Sequence, residues 1–287
     1  NKKNTSMANI LTAIKSIVEF TDLSIQNITD GSNRMNNMGE GLEDYIKSAF
    51  SDTLNETNKA KKIEKISKTF SYTGNKNNPP DMMLRGGDAI EVKKKESSSS
   101  SLQLNSSHPK SKLLATNTRI NKTCAECENW NIKDLIYAVG YVKSKQLKSL
   151  WMVYGDCYAA NDETYQKVED KIKTSISNLG DLDINESTNE LSGVRNIDPL
   201  NITYLRVRGM WIVENPAKVF DYVFEYDKSA KFQLVCLMSK NKYDSFLQND
   251  RELLHQVNGL DIKDVKIRNP NNSADLLNAK LITYKVV

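Results

Sequence analysis

Apolar residues recur at spacings of three and four along three segments of this chain. Met7–Val18 is interrupted only by Lys15 and predicts an amphipathic helix. Asn37–Leu54 carries a longer apolar stripe and also predicts a helix. Asp162–Leu179 is a third helical segment. In the first two segments the spacing indicates a helix with one apolar face.

Extended segments with apolar and β-branched residues lie between and after these helices. They are Thr69–Thr73, 81–85, 89–95, Leu135–Val142, Leu150–Tyr158, Ile202–Val213, Phe232–Met238, Asp264–Ile267 and Leu281–Val287, with Lys218–Tyr226 ambiguous. A helix, three strands, an intervening region and two more strands predict an α/β (α+β) fold. We expect a mixed central β-sheet flanked by helices.

One predicted hairpin combines two carboxylates and an amine. The pair Gly86-Gly87 predicts a turn between its strands, so that Asp81 lies beside Glu91 or one residue away from it. Residues two apart on a strand share a face, so Glu91 and Lys93 are predicted to emerge side by side. Asp88 is a weaker candidate, because it lies at the turn and would have to reach back along the strand.

These three side chains are of the types that hydrolysis of a phosphodiester needs. Cross-strand neighbours lie roughly 4.5–5.5 Å apart, so Asp81 and Glu91 are close enough to share one hard cation. A lysine beside that cation, Lys93, can orient or deprotonate a water molecule. The alternative interpretation is a surface hairpin whose charged side chains are simply solvated.

The hairpin resembles the Pro-Asp…(Asp/Glu)-X-Lys nuclease superfamily, also written PD-(D/E)XK. Here Pro80-Asp81 is followed by nine residues and then by Glu91-Val92-Lys93. In that superfamily a helix before the first strand often lends an acid to the active site. Glu43 is the candidate for this acid, with Glu40 a weaker one, and an ordinary exposed helix residue is the alternative interpretation of Glu43.

Composition restricts the class of protein. The chain has 287 residues, of which 39% are hydrophobic and 26% charged, values typical of a soluble globular protein. No apolar run approaches the roughly 18–20 residues of a membrane span. The cysteines Cys124, Cys127, Cys157 and Cys236 do not form a disulfide-framework pattern, which fits a reducing cytoplasm. A zinc site at Cys124 and Cys127 is the weaker alternative to reduced thiols.

Positive charge is concentrated directly after the hairpin. Residues 93–123 contain seven basic residues and one acidic residue, a net charge of +6 in a chain whose total is +4, so the remainder carries −2. A polyanionic substrate would be attracted to such a segment. A solvated lysine-rich loop is the alternative.

Three longer blocks resemble the NgoPII-type type II restriction endonucleases. They are 37–43, 78–112 and 198–211, and the tail 278–283 is similar too. The resemblance implies magnesium-dependent, site-specific cleavage of double-stranded DNA by a homodimer at a short palindrome, with GGCC as the family's associated target. It implies a prokaryotic cytoplasmic enzyme and no membrane partner. We expect one nuclease domain over 1–287, with the catalytic core at about 37–160 and the recognition region at about 190–287.

The ligand types predict the metal and its position. Oxygen donors from Asp81, Glu91 and the carbonyl of Val92 suit Mg²⁺. Lys93 would position the attacking water, and in-line attack would leave a 5′-phosphate and a 3′-hydroxyl. Glu43 could bind a second ion or order a water molecule.

A further group of polar and basic residues is predicted to bind DNA. Arg206 and Arg208 lie two apart on a predicted strand, with Leu205 facing the core, and arginine is the usual bidentate reader of guanine. Phosphate contacts or a structural salt bridge are the alternatives for both arginines. The other predicted DNA-binding residues are Lys94, Asn105, Ser106, Ser107, His108, Lys110 and Lys112.

Two other functions are compatible with the same residues. A repair or recombination nuclease would recognise DNA structure instead of sequence. A DNA-binding module that has lost catalysis is the second, although the intact set of Asp81, Glu91 and Lys93 argues against it.

Overall fold

Helices form in three parts of the chain that precede, interrupt and follow the main strands. The computed structural model describes residues 7–25, 34–74 and 78–287, with the side chains of residues 34–40 excepted. Within these ranges the helices are α1 (Ile10–Glu19), α2 (Arg34–Phe50), α3 (Lys59–Thr69), α4 (Lys122–Glu126), α5 (Gly155–Tyr158), α6 (Asp162–Ser177), α7 (Pro216–Val219), α8 (Lys240–Ser245) and α9 (Gln248–His255).

Strands of very different length make up the sheets. Over the same ranges they are β1 (Phe70–Thr73), β2 (Met82–Leu84), β3 (Ala89–Lys95), β4 (Leu102–Gln103), β5 (Lys112–Leu114), β6 (Ile132–Lys143), β7 (Gln146–Tyr154), β8 (Asp183–Ile184), β9 (Ser192–Arg195), β10 (Leu205–Val207), β11 (Ile212–Val213), β12 (Phe232–Ser239), β13 (Asp261–Asn269) and β14 (Asn272–Val286).

The central sheet is mixed, as the order of elements in the sequence predicts. Its strands follow the order β1-β2-β3-β6-β7-β12-β14-β13, and β5 pairs with β6 beside this path. The pairs β3–β6 and β7–β12 are parallel, whereas the other neighbours along the path are antiparallel. Strands from the N-terminal and C-terminal parts of the chain therefore belong to one sheet.

Alternate residues of the central strands enter two separate apolar cores. On β6, Ile136 and Ala138 enter the core on one face, while Tyr137 and Val139 enter the core on the other. This division follows from the two-residue side-chain period of a strand. A sheet with both faces covered explains why β6 and β7 read as nearly continuous apolar runs.

Helices α1 and α2 cover the first of these faces. At the start of α1 the Asn9 side chain accepts hydrogen bonds from the backbone N–H groups of Leu11 and Thr12, and the Thr12 hydroxyl accepts one from the N–H of Asn9. This capping box satisfies donors that the first turn of a helix leaves unpaired. The helices predicted from Met7–Val18 and Asn37–Leu54 are both confirmed.

Helix α2 approaches the sheet closely at Gly140. A Cβ atom at this position would lie 2.6 Å from Leu42 Cδ2, so the absence of a side chain on β6 makes room for α2. Leu42 is fully buried at this contact. The contact fixes the height of α2 above the sheet and therefore the position of Glu43, the next residue along the helix.

The chain leaves the sheet after β7 earlier than the apolar run predicts. We expected an extended segment over Leu150–Tyr158, but the strand ends at Tyr154 and Gly155–Tyr158 forms helix α5. A Cβ atom at Gly155 would lie 2.2 Å from the carbonyl oxygen of Lys110. Glycine therefore permits the close backbone approach at which the chain changes direction.

The predicted strand over Ile202–Val213 is also wrong as a single element. Leu205–Val207 forms β10 in a small antiparallel sheet with the order β10-β9-β8, and Ile212–Val213 forms β11, which pairs with β4. Leu205 is 52% exposed and does not face a core, contrary to the expectation from alternation. Neither short strand belongs to the central sheet. The alternation of buried and exposed side chains that we expected is therefore not observed there.

Most remaining segments fit the expected architecture, but several elements were not predicted, among them α3, α8 and α9. The predicted strands at Thr69–Thr73 and Phe232–Met238 and the helix at Asp162–Leu179 are confirmed. Helix α3 (Lys59–Thr69) was not predicted, and none of its residues is buried. In the described part of the chain, every helix is too short or too polar to cross a bilayer.

Candidate active site

The hairpin of β2 and β3 brings the two predicted carboxylates together. Met82 pairs with Ile90 and Met83 with Ala89, and extending this register by one residue places Asp81 opposite Glu91. The backbone N–H of Val92 donates a hydrogen bond of 2.6 Å to Asp81 Oδ2. The Asp81 side chain is therefore fixed against the strand that carries Glu91.

Lys93 joins this pair from the same face of β3. Its Nζ lies 2.7 Å from Glu91 Oε1, and both side chains line the same cleft as Asp81. Val92, between them, points into the apolar core that α2 covers. Strand alternation therefore produces the arrangement that the sequence predicts.

Three acidic groups share the electrostatic environment of this site. Burial, followed by the charges of Glu91 and Glu43, holds the pKa of Asp81 well above its usual range. Burial opposes the charged form of Lys93, but Glu91, Asp81 and Glu43 outweigh it and raise the pKa of the amine. The site thus combines carboxylates that repel one another with an ammonium that stays protonated.

Glu43 lies close enough to act on both Asp81 and Lys93. It is on α2, one residue after the buried Leu42, and its charge contributes to the raised pKa of each group. The structure thus brings the predicted helix acid towards the hairpin. The side chain of Glu40, the alternative acid, lies outside the described residues.

The donor atoms of the hairpin fit a divalent cation. Within the described residues, Glu91 Oε2 is buried and has no hydrogen-bond partner, so one carboxylate oxygen is unsatisfied. A cation between Asp81 and Glu91 would satisfy it and relieve their repulsion. Those residues contain no cluster of three or more His, Cys, Asp or Glu side chains suited to a metal. The fit is therefore to the two carboxylates, and with the carbonyl of Val92, the third predicted ligand, they would make a set that suits Mg²⁺ with water and substrate oxygens.

Asp88, the competing carboxylate, belongs to a different part of the molecule. It is buried and accepts hydrogen bonds of 2.7 Å from Lys242 Nζ and 2.6 Å from the Tyr154 hydroxyl. Asp88 does not line the cleft that contains Asp81 and Glu91. Its role is to hold α8 against the sheet.

Most of the predicted polar loop forms the wall opposite the carboxylates. The cleft has a volume of about 560 Å³. The loop residues that line it are Asn105, Ser106, Ser107, His108 and Lys110. A polar wall facing a hydrolytic site is suited to a phosphate-rich substrate.

His108 is packed into this wall as a structural element. Its ring stacks on Tyr165 at 5.0 Å between centroids and meets the edge of Trp211 at 6.0 Å. Its Nδ1 lies 2.9 Å from the carbonyl oxygen of Pro109, and burial together with the charge of Lys110 lowers its pKa. His108 is therefore a neutral ring that shapes the loop.

Lys110 and Arg119 add positive charge to the cleft. Lys110 is almost completely buried, which lowers the pKa of its amine, and its backbone N–H donates to the Tyr137 hydroxyl at 2.8 Å. Arg119 also lines the cleft and pairs with Glu169 at 3.2 Å. Arg119 was not singled out from the sequence; the only signal for it is its place in the basic segment.

Lys94 and Lys112 do not converge on this cleft. Lys94 alternates to the other face of β3 from Lys93, and burial lowers the pKa of its amine. Lys112 pairs with Asp134 at 2.5 Å and with Asp156 at 3.7 Å. Neither lysine lines the cleft, and their contacts with DNA stay predictions.

Arg206 and Arg208 meet at one carboxylate that sequence reasoning missed. Arg206 Nη2 lies 2.5 Å and Arg208 Nε 2.9 Å from Glu190 Oε1. The two arginines therefore do share a side, as their spacing predicts. Glu190 and Arg208 line the cleft, whereas Arg206 does not. The sequence gives no spacing rule that would connect Glu190 to arginines beyond the turn.

The fold and the site together define a class of protein. A mixed sheet flanked by helices, with Asp81, Glu91 and Lys93 on one hairpin beneath a cleft, has the restriction-endonuclease-like architecture. The comparison of sequences specifies the family. The chain belongs to the NgoPII restriction endonuclease family, whose model matches residues 8–268.

A curated relative extends this match over nearly the whole chain. The type II restriction enzyme NgoPII of Neisseria gonorrhoeae is 48% identical over 277 residues, which cover 96% of this chain and 99% of the relative. The chain is thus a restriction endonuclease, a site-specific deoxyribonuclease, and enzymes of type II generally use a divalent metal. No solved structure matches the chain.

Proposed function

We propose that this enzyme hydrolyses both strands of DNA at a short palindrome, with Mg²⁺ as cofactor, and leaves 5′-phosphate and 3′-hydroxyl ends. The observation that carries the proposal is the hairpin geometry. Asp81 is bonded to the backbone of Val92 at 2.6 Å, and Lys93 lies 2.7 Å from Glu91. Two carboxylates suited to a metal and one amine thus line the same cleft.

The carboxylates of Asp81 and Glu91 and the carbonyl oxygen of Val92 would hold the ion. When bound, Mg²⁺ supplies Lewis-acid polarisation of the phosphate and lowers the pKa of water. The unsatisfied Glu91 Oε2 and the raised pKa of Asp81 support this assignment. Glu43 would order a water molecule or contribute to a second ion, since its charge already acts on Asp81.

Lys93 would orient the attacking water. Because the neighbouring acids raise the pKa of its amine, Lys93 is an ammonium at neutral pH and donates hydrogen bonds. It therefore holds the water in line with the phosphorus and balances charge on the phosphate. General-base action by a neutral Lys93 is disfavoured by the same acids.

The DNA backbone would lie along the wall formed by the loop before β5. Asn105, Ser106 and Ser107 offer neutral donors, and Lys110 offers a buried positive charge at the same cleft. A desolvated cation interacts more strongly with a phosphate than a surface lysine does. Lys112, outside the cleft, would contact a more distant phosphate and mainly set the salt dependence. Lys94, nearly buried on the other face of β3, is the poorer candidate for such a contact.

A homodimer and a GGCC target complete the proposal. A protein with one active site that cuts both strands of a palindrome most simply does so as a two-fold pair. The resemblance of residues 198–211 to the family motif supports a guanine-containing target, because this block contains Arg206 and Arg208. The proposed location is the prokaryotic cytoplasm, because this is the compartment that the substrate DNA enters.

Digestion of a sequenced plasmid tests the proposal. The purified protein with Mg²⁺ should give discrete fragments, and sequencing of the ends should place every cut at one short palindrome with a 5′-phosphate. EDTA should abolish cleavage. Cutting only at nicks, flaps or junctions would instead indicate a structure-specific nuclease, and binding without cleavage would indicate a module that has lost catalysis.

A further inference from the structure

Glu190 lies beneath two exposed arginines at the rim of the cleft. Its side chain is 13% exposed, whereas those of Arg206 and Arg208 are 58% and 57% exposed. The guanidinium groups therefore face solvent and cover the carboxylate. Two cations and one anion leave a net positive charge, so this group attracts DNA despite containing an acid.

The two arginines are held in different ways. Arg206 is bound side-on, with Nε at 3.0 Å and Nη2 at 2.5 Å from the two oxygens of Glu190. Arg208 forms an ion pair with the same carboxylate, in which its Nε lies 2.9 Å from Glu190 Oε1. Within the described residues, the hydrogen bonds that join Glu190 to this arginine pair come from Arg206.

The two arginines also differ in their positions relative to the cleft. Arg206 is held within β10, where it pairs with Gly193 of β9. Arg208 follows the end of β10 and lines the cleft together with Glu91 and Glu190. The arginine that lines the cleft is therefore Arg208, whereas Arg206 is the one that Glu190 holds by two hydrogen bonds.

We infer that Arg208 contacts a guanine of the target through its two terminal nitrogens, with Glu190 and Arg206 as positioning residues. This inference rests on the proposed function and adds to it a division of roles between the two arginines. An end-on guanidinium presents two parallel donors that match guanine O6 and N7 in the major groove. Glu190 holds Arg208 at its Nε, and Arg206 in turn holds Glu190. The two terminal nitrogens of Arg208 are therefore oriented before DNA binds.

Guanine N7 provides the test. Duplexes are made that contain the target mapped on the plasmid, with 7-deazaguanine replacing one guanine at a time, and kcat/KM is measured for each. At the guanine that Arg208 contacts, the wild type should lose about 5- to 150-fold. Arg208→Met should cut the normal and substituted duplexes at equal rates, because the contact is already absent.

Arg206→Met is the matched comparison. It should cut more slowly than the wild type but keep most of the loss caused by 7-deazaguanine. Glu190→Gln should reduce that loss while leaving the melting temperature unchanged, a combination that a merely structural role for Glu190 does not predict. The melting temperature of every variant identifies any that fails to fold.

The outcomes separate this inference from the proposed function. If Arg208→Met keeps the full sensitivity to 7-deazaguanine, or if no guanine is sensitive in the wild type, the inference is overturned while site-specific cleavage stands. If the wild type binds the duplex without cutting it, the same comparison is made on dissociation constants. A wild type that neither binds nor cuts duplex DNA overturns both.

Discussion

Lys93 and Lys94 are neighbours on β3, yet the sheet gives them different environments. Lys93 shares the cleft with Glu91, and its pKa is raised by the surrounding acids. Lys94 points to the opposite face, where burial lowers its pKa. A single step along a strand therefore separates a residue suited to catalysis from one that is not.

Lys93→Ala should abolish cleavage and retain DNA binding. The Lys93 amine lies 2.7 Å from Glu91, and loss of a group that positions the nucleophile costs about 10²- to 10⁴-fold in rate. Single-turnover cleavage and an electrophoretic binding assay measure the two properties. Lys143→Ala, at an exposed position at the end of β6, is the control and should behave as the wild type. Wild-type cleavage by Lys93→Ala would remove this lysine from the mechanism.

Asp81→Asn should stabilise the metal-free protein and eliminate its activity. Burial and two neighbouring acids disfavour a charge at Asp81, and asparagine can still accept the hydrogen bond from Val92. Each pKa unit of such disfavour corresponds to about 1.4 kcal/mol. The melting temperature in EDTA should therefore rise by a few degrees.

Addition of Mg²⁺ provides the complementary measurement. It should raise the melting temperature of the wild type, because a ligand that binds only the folded state stabilises it. It should leave Asp81→Asn nearly unchanged. An equal response of the two proteins to Mg²⁺ would exclude Asp81 as a ligand.

The sequence predicted the residues of the hairpin because their geometry is local. A turn at Gly86-Gly87 and the two-residue period of β3 are sufficient to place Asp81, Glu91 and Lys93 together. Glu190 could not be predicted in the same way. Its position depends on how the small sheet of β8, β9 and β10 lies beside the cleft, and this is a long-range property.

At the scale of elements, the contact between α2 and β6 connects packing to activity. In Gly140→Ala the new methyl group would lie 2.6 Å from Leu42 Cδ2 and 3.2 Å from Leu147 Cδ1. Overpacking of this kind costs about 1–3 kcal/mol of stability. The shift of α2 should also lower kcat, because Glu43 follows Leu42 on the same helix.

Gly180→Ala is the matched control for this substitution. A Cβ atom at Gly180 has nothing within 4 Å, so this variant should keep wild-type stability and rate. Urea denaturation and single-turnover kinetics measure the two effects. Unchanged kcat in Gly140→Ala, with the expected loss of stability, would separate the position of α2 from catalysis.

Helix α8 is held to the sheet by a buried group of charges. Lys242 Nζ lies 2.7 Å from both Asp88 and Asp134. Lys242→Met should cost about 3–5 kcal/mol at pH 7, because the buried Asp88 would lose its cation and Asp134 would keep only Lys112. Lys240→Met removes an exposed partner of Asp244 on the same helix and should cost less than about 1 kcal/mol.

The difference between wild type and Lys242→Met should depend on pH. Burial opposes ionisation of Asp134, but hydrogen bonds from Lys112 and Lys242 prevail and lower its pKa. A carboxyl with a lowered pKa stabilises the fold above its unfolded pKa of about 3.9, and this contribution is lost as the pH falls through the folded value. Urea denaturation should thus show a constant difference above about pH 5 and a smaller one below about pH 4. A difference that grows on acidification would contradict this assignment.

Elements outside the central sheet were the least predictable from pattern. Helix α3 has no buried residue, so no apolar periodicity in the sequence predicted it. The run over Ile202–Val213 contains exposed apolar residues, among them Ile202, and the exposed Leu200 lies just before it. Periodicity reports burial against the protein's own core, and here the apolar side chains face outward.

At the scale of the whole molecule, one sheet connects the hydrolytic hairpin to the C-terminal strands. β3 reaches β12 and β14 through β6 and β7 without a break. The segment that carries Arg206 and Arg208, the proposed base contacts, lies between β7 and β12 in the chain, so it leaves and returns to the same sheet. This connection would hold the proposed base contacts near Arg208 at a fixed separation from Asp81, Glu91 and Lys93, as site-specific cutting requires.

Mixed dimers would show whether each protomer cuts one DNA strand or both. If each protomer of a homodimer cuts one strand, an excess of Lys93→Ala over wild type should produce heterodimers with one functional site. These should convert supercoiled plasmid to nicked circles, whereas an excess of Lys143→Ala should still give linear DNA. Gel analysis of early products distinguishes the two forms. Linear product at undiminished yield in the presence of excess Lys93→Ala would mean that one protomer cuts both strands, and the two-fold arrangement would then be wrong.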